Sequence, residues 1–430
     1  MFDAVTVRSG RSESGLLAAL AAVTLVAGVS GAPQYASTSP TANHASVLLS
    51  AAEGGSLSNS GIALIMGPSM LPTPSQHYAD TVDQLFLQPH GFDGELQVLT
   101  TPEEAYLLDD SMAKGAAILT DRVLNLIDEG KVDEDHPVTV FGYSQSAALT
   151  TFTMQQLHDA GVPSSAVHFV LIGDSANPLG GLMVGFSDYP GITANMAEDH
   201  VTLGNPTPND LYPTDIYTLE YDGFADFPNY FLNPLADLNA IMGLAFQHIA
   251  YLGLSPDQIA DAVQLETSPD SMINSYVIPS EYLPLLYPLL FVPITGKPIY
   301  DLLEPAMRIL VNLGYGNIDH GWNDGPADVP TMVTEDMPNL DWNEVSDALM
   351  AAAKSGLDAF VADLFDPDTY VRVDMVDNPA LDGLLSAMAG VGVAAGDNPS
   401  VDDMLNGLTN MVWESLVGQY MNAAYWDAQA

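Results

Sequence analysis

The sequence predicts an α/β protein with a mostly parallel central sheet, and three observations carry that prediction. Short β-branched or apolar runs alternate with longer stretches of helical period. Several of these runs are apolar throughout, as in strands buried on both faces. One of them meets a glycine, then a serine, then small helix-forming residues, which is the layout of a sharp strand-to-helix turn.

Taken in order, residues 62–66 form the first strand, ended by Gly67-Pro68-Ser69-Met70-Leu71-Pro72. A helix is expected at about 75–87 and a second strand at 96–100. The helix at about 111–129 has apolar Ile118, Val123, Leu126 and Ile127 and a stop at Gly130. A strand runs up to the serine turn, a helix covers about 146–160, and strands follow at 168–173 and 215–221. Such sheets place their chemistry beyond the carboxyl ends of the strands.

After Pro228 the regularity breaks down. Residues 229–330 are rich in Leu, Tyr and Pro, and Pro284, Pro288 and Pro293 argue against a membrane span at 282–293. That stretch reads as a lid or apolar wall for acyl chains, or as packed irregular structure. From about Glu335 the chain is strongly acidic, with Lys354 and Arg372 its only basic residues. Residues 347–365 and 404–425 read as amphipathic helices of a packing or interaction appendage.

The 430 residues are 47% hydrophobic, ample for a core. Nine Lys and Arg face 55 Asp and Glu, a formal net charge of −46. A nucleic-acid partner is excluded, because phosphate binding needs clustered cations. Anionic membrane surfaces repel such a chain. An acidic, self-repelling surface is the plain reading, and a high-salt habitat gives the same composition. Cysteine is absent, which excludes disulfides, thiol catalysis and cysteine metal sites. The histidines show no i, i+4 ligand pairing, so no metal or cofactor is expected. At the N-terminus Arg8 and Arg11 precede an apolar run at 16–29 and small residues 30–32. This reads as a signal peptide or an uncleaved anchor, and it predicts export to the cell envelope or beyond.

The serine turn reads Val138-Thr139-Val140-Phe141-Gly142-Tyr143-Ser144-Gln145-Ser146. It matches a nucleophile elbow, with Ser146 where the common pattern has glycine. A serine hydroxyl needs a base, and the base needs an acid to hold its tautomer. In α/β-hydrolases the chain order is Ser, then Asp or Glu, then His, which leaves His248 and His320 as the better-placed bases. The acid is sought in Asp222-Gly223-Phe224-Ala225-Asp226-Phe227-Pro228. Asp226 is preferred to Asp222, one of the two being expected to cap the turn. Oxyanion donors are expected from the backbone of Gln145 and of Ser69 or Met70, Ser69 being chosen, since Pro68 has no N–H.

Several segments together resemble the PE-PPE-domain serine hydrolases, also described as mycobacterial cutinase-like hydrolase proteins of the α/β-hydrolase superfamily. They are Leu71-Pro72-Thr73-Pro74-Ser75, Gly142-Tyr143-Ser144-Gln145-Ser146, and Phe169-Val170-Leu171-Ile172-Gly173 leading to Pro178-Leu179-Gly180-Gly181. Further on come Tyr221-Asp222-Gly223-Phe224-Ala225-Asp226-Phe227-Pro228, Leu238-Asn239-Ala240 ahead of His248, and Leu313-Gly314-Tyr315-Gly316. The serine at 146 is typical of that family. The resemblance implies an α/β-hydrolase fold and a Ser144, Asp, His248 triad acting on fatty-acyl esters. Some such relatives move acyl chains between trehalose glycolipids, so a lipid or acyl-ester substrate, with a trehalose glycolipid among the candidates, is implied. The expected organisation is an export segment or membrane anchor at 1–32, a tether at 33–60, the hydrolase domain at 61–335 and an acidic helical extension at 336–430. The rival expectation is a noncatalytic cell-envelope binding or assembly protein built on the same shell.

Overall fold

The computed structural model describes residues 55–366 and Thr369, apart from Tyr106, Asp199 and residues 292–294. The export segment, most of the tether and the helix expected at 404–425 lie outside the described residues.

Among the described residues seven strands form one sheet. They are β1 (Ile62–Ile65), β2 (Glu95–Val98), β3 (Val138–Tyr143), β4 (Val167–Ile172), β5 (Thr214–Leu219), β6 (Val263–Leu265) and β7 (Ile273–Ile278). Their spatial order is β2-β1-β3-β4-β5-β7-β6, all parallel except the β6–β7 pair. The fold class is therefore the α/β, mostly parallel one that the sequence implies. The sheet continues beyond β5, however, into the region expected to be irregular. Neither added strand is easily legible: β6 has three residues, and β7 carries Asn274 and Ser275 among its apolar positions.

Successive side chains of a strand point to opposite faces, so each buried strand feeds two cores. Val140, Phe169 and Leu171 pack on one face with α2 (Leu108–Asp128) and α3 (Gln145–Asp159). Phe141, Val170 and Ile172 pack on the other with Tyr78 and Val82 of α1 (Gln76–Val82). Ser75 caps α1, accepting from the Tyr78 N–H at 3.2 Å.

A third apolar cluster lies after β5. It joins α4 (Pro234–Phe246), the 3-10 turns of Pro284–Phe291, and α5 (Gly296–Asn312) through Ala236, Leu283, Leu286, Tyr300 and Val311. The described part of the proline-rich stretch is ordered, with Pro288 in the 3-10 turns, and Pro305 lies inside α5. The last helix among the described residues, α6 (Trp342–Asp363), packs along α5 and starts five residues earlier than the sequence pattern suggests. Among the described residues no helix is long and apolar enough to cross a membrane.

The strand order positions the site. From β1 the chain moves outward to β2, then crosses back to β3 on the other side of β1. That reversal is a switch point, and the loops after β1 and β3 face one crevice at their carboxyl ends. Those loops hold Ser69 and Ser144.

Candidate active site

Ser144 is the pivot between β3 and α3, and its backbone is held at φ 58° and ψ −118°. A non-glycine residue in so sparsely populated a conformation costs on the order of 1–3 kcal/mol, so the surrounding structure must hold it there. Three neighbours explain how it is held. The Ser144 N–H donates to the Ile172 carbonyl at 3.1 Å, tying the turn to β4. At Gly142 a Cβ would lie 2.7 Å from the Ser146 carbonyl oxygen and 2.8 Å from the Ala147 Cα, so only glycine lets the helix return this close. Ser146 is fully buried, accepts the Tyr143 N–H at 2.8 Å and donates to the Tyr143 carbonyl at 3.1 Å. The serine at 146 therefore closes the turn with its hydroxyl, where the common pattern leaves only space.

The imidazole reaches this turn from the end of α4. His248 follows the helix's last turn, with its N–H on the Gly243 carbonyl at 3.0 Å. Its Nε2 lies 2.8 Å from the Ser144 Oγ. Its Nδ1 lies 2.8 Å and 3.0 Å from the two carboxylate oxygens of Asp222. His248 and Asp222 are buried while Ser144 is only half-buried, so the hydroxyl alone is presented outward. Gly173, at φ +55°, makes room: a Cβ there would lie 3.1 Å from the His248 Cε1. The Phe224 ring leans on the imidazole with centroids 4.5 Å apart.

Of the residues expected from the sequence, Ser144 and His248 are brought together, and Asp226 is not. The carboxylate facing His248 belongs to Asp222. The reason lies in the turn after β5, where Tyr221 adopts φ 66° and the Asp226 carboxylate folds back to accept the Tyr221 N–H at 2.9 Å. Burial pushes the Asp226 carboxyl well above the usual range, the Tyr221 N–H opposing it and the charges of Glu220 and Asp222 adding to it. Asp226 is thus the turn-closing residue, and Asp222, at the strand end, points across to α4.

His320 lies elsewhere. Its Nδ1 is 3.0 Å from the Trp322 carbonyl and its ring stacks on that of Trp322 with centroids 4.0 Å apart.

The turn after β1 stands beside the elbow. The Ser69 Oγ donates to the Gln145 Oε1 at 2.9 Å, and the Gln145 Nε2 donates to the Ser111 Oγ at 2.6 Å. The Met70 N–H is taken by the Glu103 carbonyl at 2.7 Å. With Pro68 lacking an N–H, Ser69 keeps a backbone donor without a partner among the described residues, and so does Gln145 at the first position of α3.

Two tyrosines missed in the sequence reading complete the arrangement. The Tyr251 hydroxyl donates to the Asp222 Oδ2 at 2.7 Å, and the Tyr143 hydroxyl donates to the His248 carbonyl. Tyrosines are common in this chain and neither lies in a recognisable motif, so only the tertiary contacts single them out.

Comparison with known proteins gives the family. A family model described as the PE-PPE domain matches residues 68–316, which takes in both loops, the turn after β5 and His248. PPE28, a PPE family protein of Mycobacterium tuberculosis, is 38% identical over 70% of this chain and 46% of its own length. Esterase PE16 of the same organism is 35% identical over 82% of this chain and 66% of its own. A shorter match, 29% identical over 27% of this chain and 33% of the relative, is to the M. tuberculosis diacyltrehalose acyltransferase Chp2. The chain spans about half to two thirds of the length of the first two relatives. Its family model, covering more than half of the chain and all of the Ser144–His248–Asp222 arrangement, places this protein in the PE-PPE domain family.

Proposed function

We propose that this protein is a serine hydrolase of lipid esters that works through an acyl-enzyme on Ser144, with His248 as base and Asp222 as its orienting acid. The observation that carries the reading is the continuous Ser144 Oγ–His248 Nε2 contact at 2.8 Å, backed by Asp222 on Nδ1. The name of the PE16 relative, an esterase, supports the reaction class.

The steps follow from the geometry. His248 Nε2 takes the Ser144 proton as Oγ attacks the ester carbonyl, and the imidazolium is stabilised by Asp222. The developing oxyanion is received by the backbone N–H groups of Gln145 and Ser69, the two free donors at the switch point. Collapse of the tetrahedral intermediate breaks the ester C–O bond, and His248 returns the proton to the departing alcohol. The acyl group then stays on Ser144 until water or a second alcohol, deprotonated by His248, removes it. Which acceptor wins depends on how well the site excludes water.

Export to the cell envelope and acyl transfer onto a trehalose glycolipid are the finer part of the proposal. They are supported by the apolar segment at 16–29 and by the acyltransferase named among the relatives. A peripheral or anchored membrane location goes with that segment.

Two measurements test this. A fluorophosphonate probe should label the wild type and not Ser144→Ala; equal labelling of both would sink the nucleophile. A synthetic acyl ester, offered with and without trehalose, should yield acylated sugar by mass spectrometry if transfer is the main activity. Free fatty acid alone would reduce the function to hydrolysis.

A further inference from the structure

We propose that Tyr251 is a positioning residue of this site: its hydroxyl holds the rotamer of Asp222 and draws off part of that carboxylate's charge, so that His248 stays a free base at lower pH. The inference rests on the Ser144–His248–Asp222 reading above and adds to it a group that sets the working pH.

The contacts around Asp222 carry it. The carboxylate is wholly buried and accepts from three donors: His248 Nδ1, the Phe224 N–H at 3.0 Å on Oδ1, and the Tyr251 hydroxyl at 2.7 Å on Oδ2. Phe224 lies in the same turn as Asp222, so Tyr251 is the donor that arrives from outside that turn beside the base itself. Its oxygen in turn accepts the Leu219 N–H at 2.9 Å, which fixes the phenol against the end of β5 and polarises its O–H toward the carboxylate. The 3-10 turn Tyr251–Gly253 follows His248 by three residues, so one short segment presents both the imidazole and the phenol to Asp222. Gly173 serves both rings, since a Cβ there would lie 3.2 Å from the Tyr251 Cε2 as well as 3.1 Å from His248.

The phenol can act only as a donor toward Asp222. Burial first, and the Asp222 charge second, push its pKa well above the usual tyrosine range, so the hydroxyl keeps its proton. The other titratable groups facing the pair are Tyr143 at the end of β3 and, beside Asp222 on the β5 loop, Glu220 and Asp226. Tyr143 bonds the His248 carbonyl and not the carboxylate. Glu220 is committed to the N–H groups of Ser280 and Gly321, each at 2.7 Å, and Asp226 to that of Tyr221.

A hydrogen bond to a carboxylate favours its charged form and spreads that charge. Losing it leaves a more basic Asp222, which holds a proton on His248 to higher pH and switches the site off earlier on the acid side. Tyr251→Phe, which keeps the ring, should cut kcat/KM on a soluble acyl ester roughly ten- to a hundredfold, as for a lost hydrogen bond to a charged group. Its low-pH limb should move up by about half a unit to one unit. Tyr143→Phe, which loses a contact to the base's backbone only, should slow the reaction and leave the limb in place. In an Asp222→Asn background, Tyr251→Phe should move the limb no further.

The inference is overturned if the Tyr251→Phe limb stays with the wild type, or if Tyr143→Phe moves it equally. A wild type that fluorophosphonate does not label overturns the Ser144 reading and the tyrosine's role together. A labelled wild type with an unmoved Tyr251→Phe profile overturns the tyrosine's role alone. Thermal unfolding of each variant separates a folded enzyme with a shifted profile from a collapsed one.

Discussion

At the scale of single residues, two aspartates four positions apart in one turn have opposite duties. Asp222 is buried against an imidazole and must be charged to do its work. Asp226 is buried against a backbone N–H, and burial favours its neutral form. Asparagine is a near-isostere of a protonated carboxyl, so the two substitutions should part company. Asp222→Asn is expected to lower kcat by about 10³- to 10⁴-fold, the size seen when a triad acid loses its charge. Asp226→Asn should keep kcat within about tenfold of wild type, since its amide oxygen still accepts the Tyr221 N–H and burial already disfavours a charge there. Steady-state kinetics on a soluble ester read both, and equal losses would contradict the division of labour.

At the scale of elements, α6 shows how one residue type decides packing. Gly356 of α6 meets the backbone of α5: a Cβ there would lie 2.2 Å from the Leu302 carbonyl oxygen. The opposite side of α6 exposes Met350, Leu357 and Val361. Adjacent positions on this helix therefore have unequal value. Gly356→Ala should push α6 off α5 and destabilise by about 1–3 kcal/mol, although alanine is the better helix former. Leu357→Ala should stay within about 0.5 kcal/mol of wild type. Urea unfolding of the two variants gives the comparison.

At the scale of the whole molecule, a net charge of −46 makes the compact state self-repelling near neutral pH, and acidification relieves that repulsion. One buried group adds a local contribution of the same sign. Glu103, 1% exposed beside the turn after β1, has neither carboxylate oxygen in good hydrogen-bonding geometry with a partner. Burial pushes its carboxyl up to about 7, against a weaker opposing pull from the Thr101 hydroxyl. The folded chain thus binds a proton more tightly than the unfolded one. Stability from this group is full below about pH 4.5, falls as pH rises, and is lost above about pH 7. The loss is on the order of 3 kcal/mol at most. Glu103→Gln keeps the shape and removes the titration, so it should raise Tm more at pH 8 than at pH 5. Equal shifts at both pH values would mean that the carboxyl is not the source, because global repulsion is nearly the same in both chains.

The sequence by itself determined the α/β class and the elbow at Ser144, because these are written in local spacing and in the order of segments along the chain. It left His248 and His320 as bases, and the family resemblance pointed to His248. Strands buried on both faces show as apolar runs, and the demands of a strand-to-helix turn show as glycine and small residues at fixed offsets. It also preferred Ser69 to Met70 as a donor, and in the structure the Met70 N–H is taken by the Glu103 carbonyl. Only the tertiary structure decided between Asp222 and Asp226, since both lie in one turn and the choice depends on which carboxylate the turn itself consumes. It likewise decided that β7 extends the sheet and that Tyr251 and Tyr143 brace the site. The bracing is set where the segment after α4, with His248 and Tyr251, meets the ends of β3, β4 and β5, and contacts between elements far apart in the chain leave no period or motif to read.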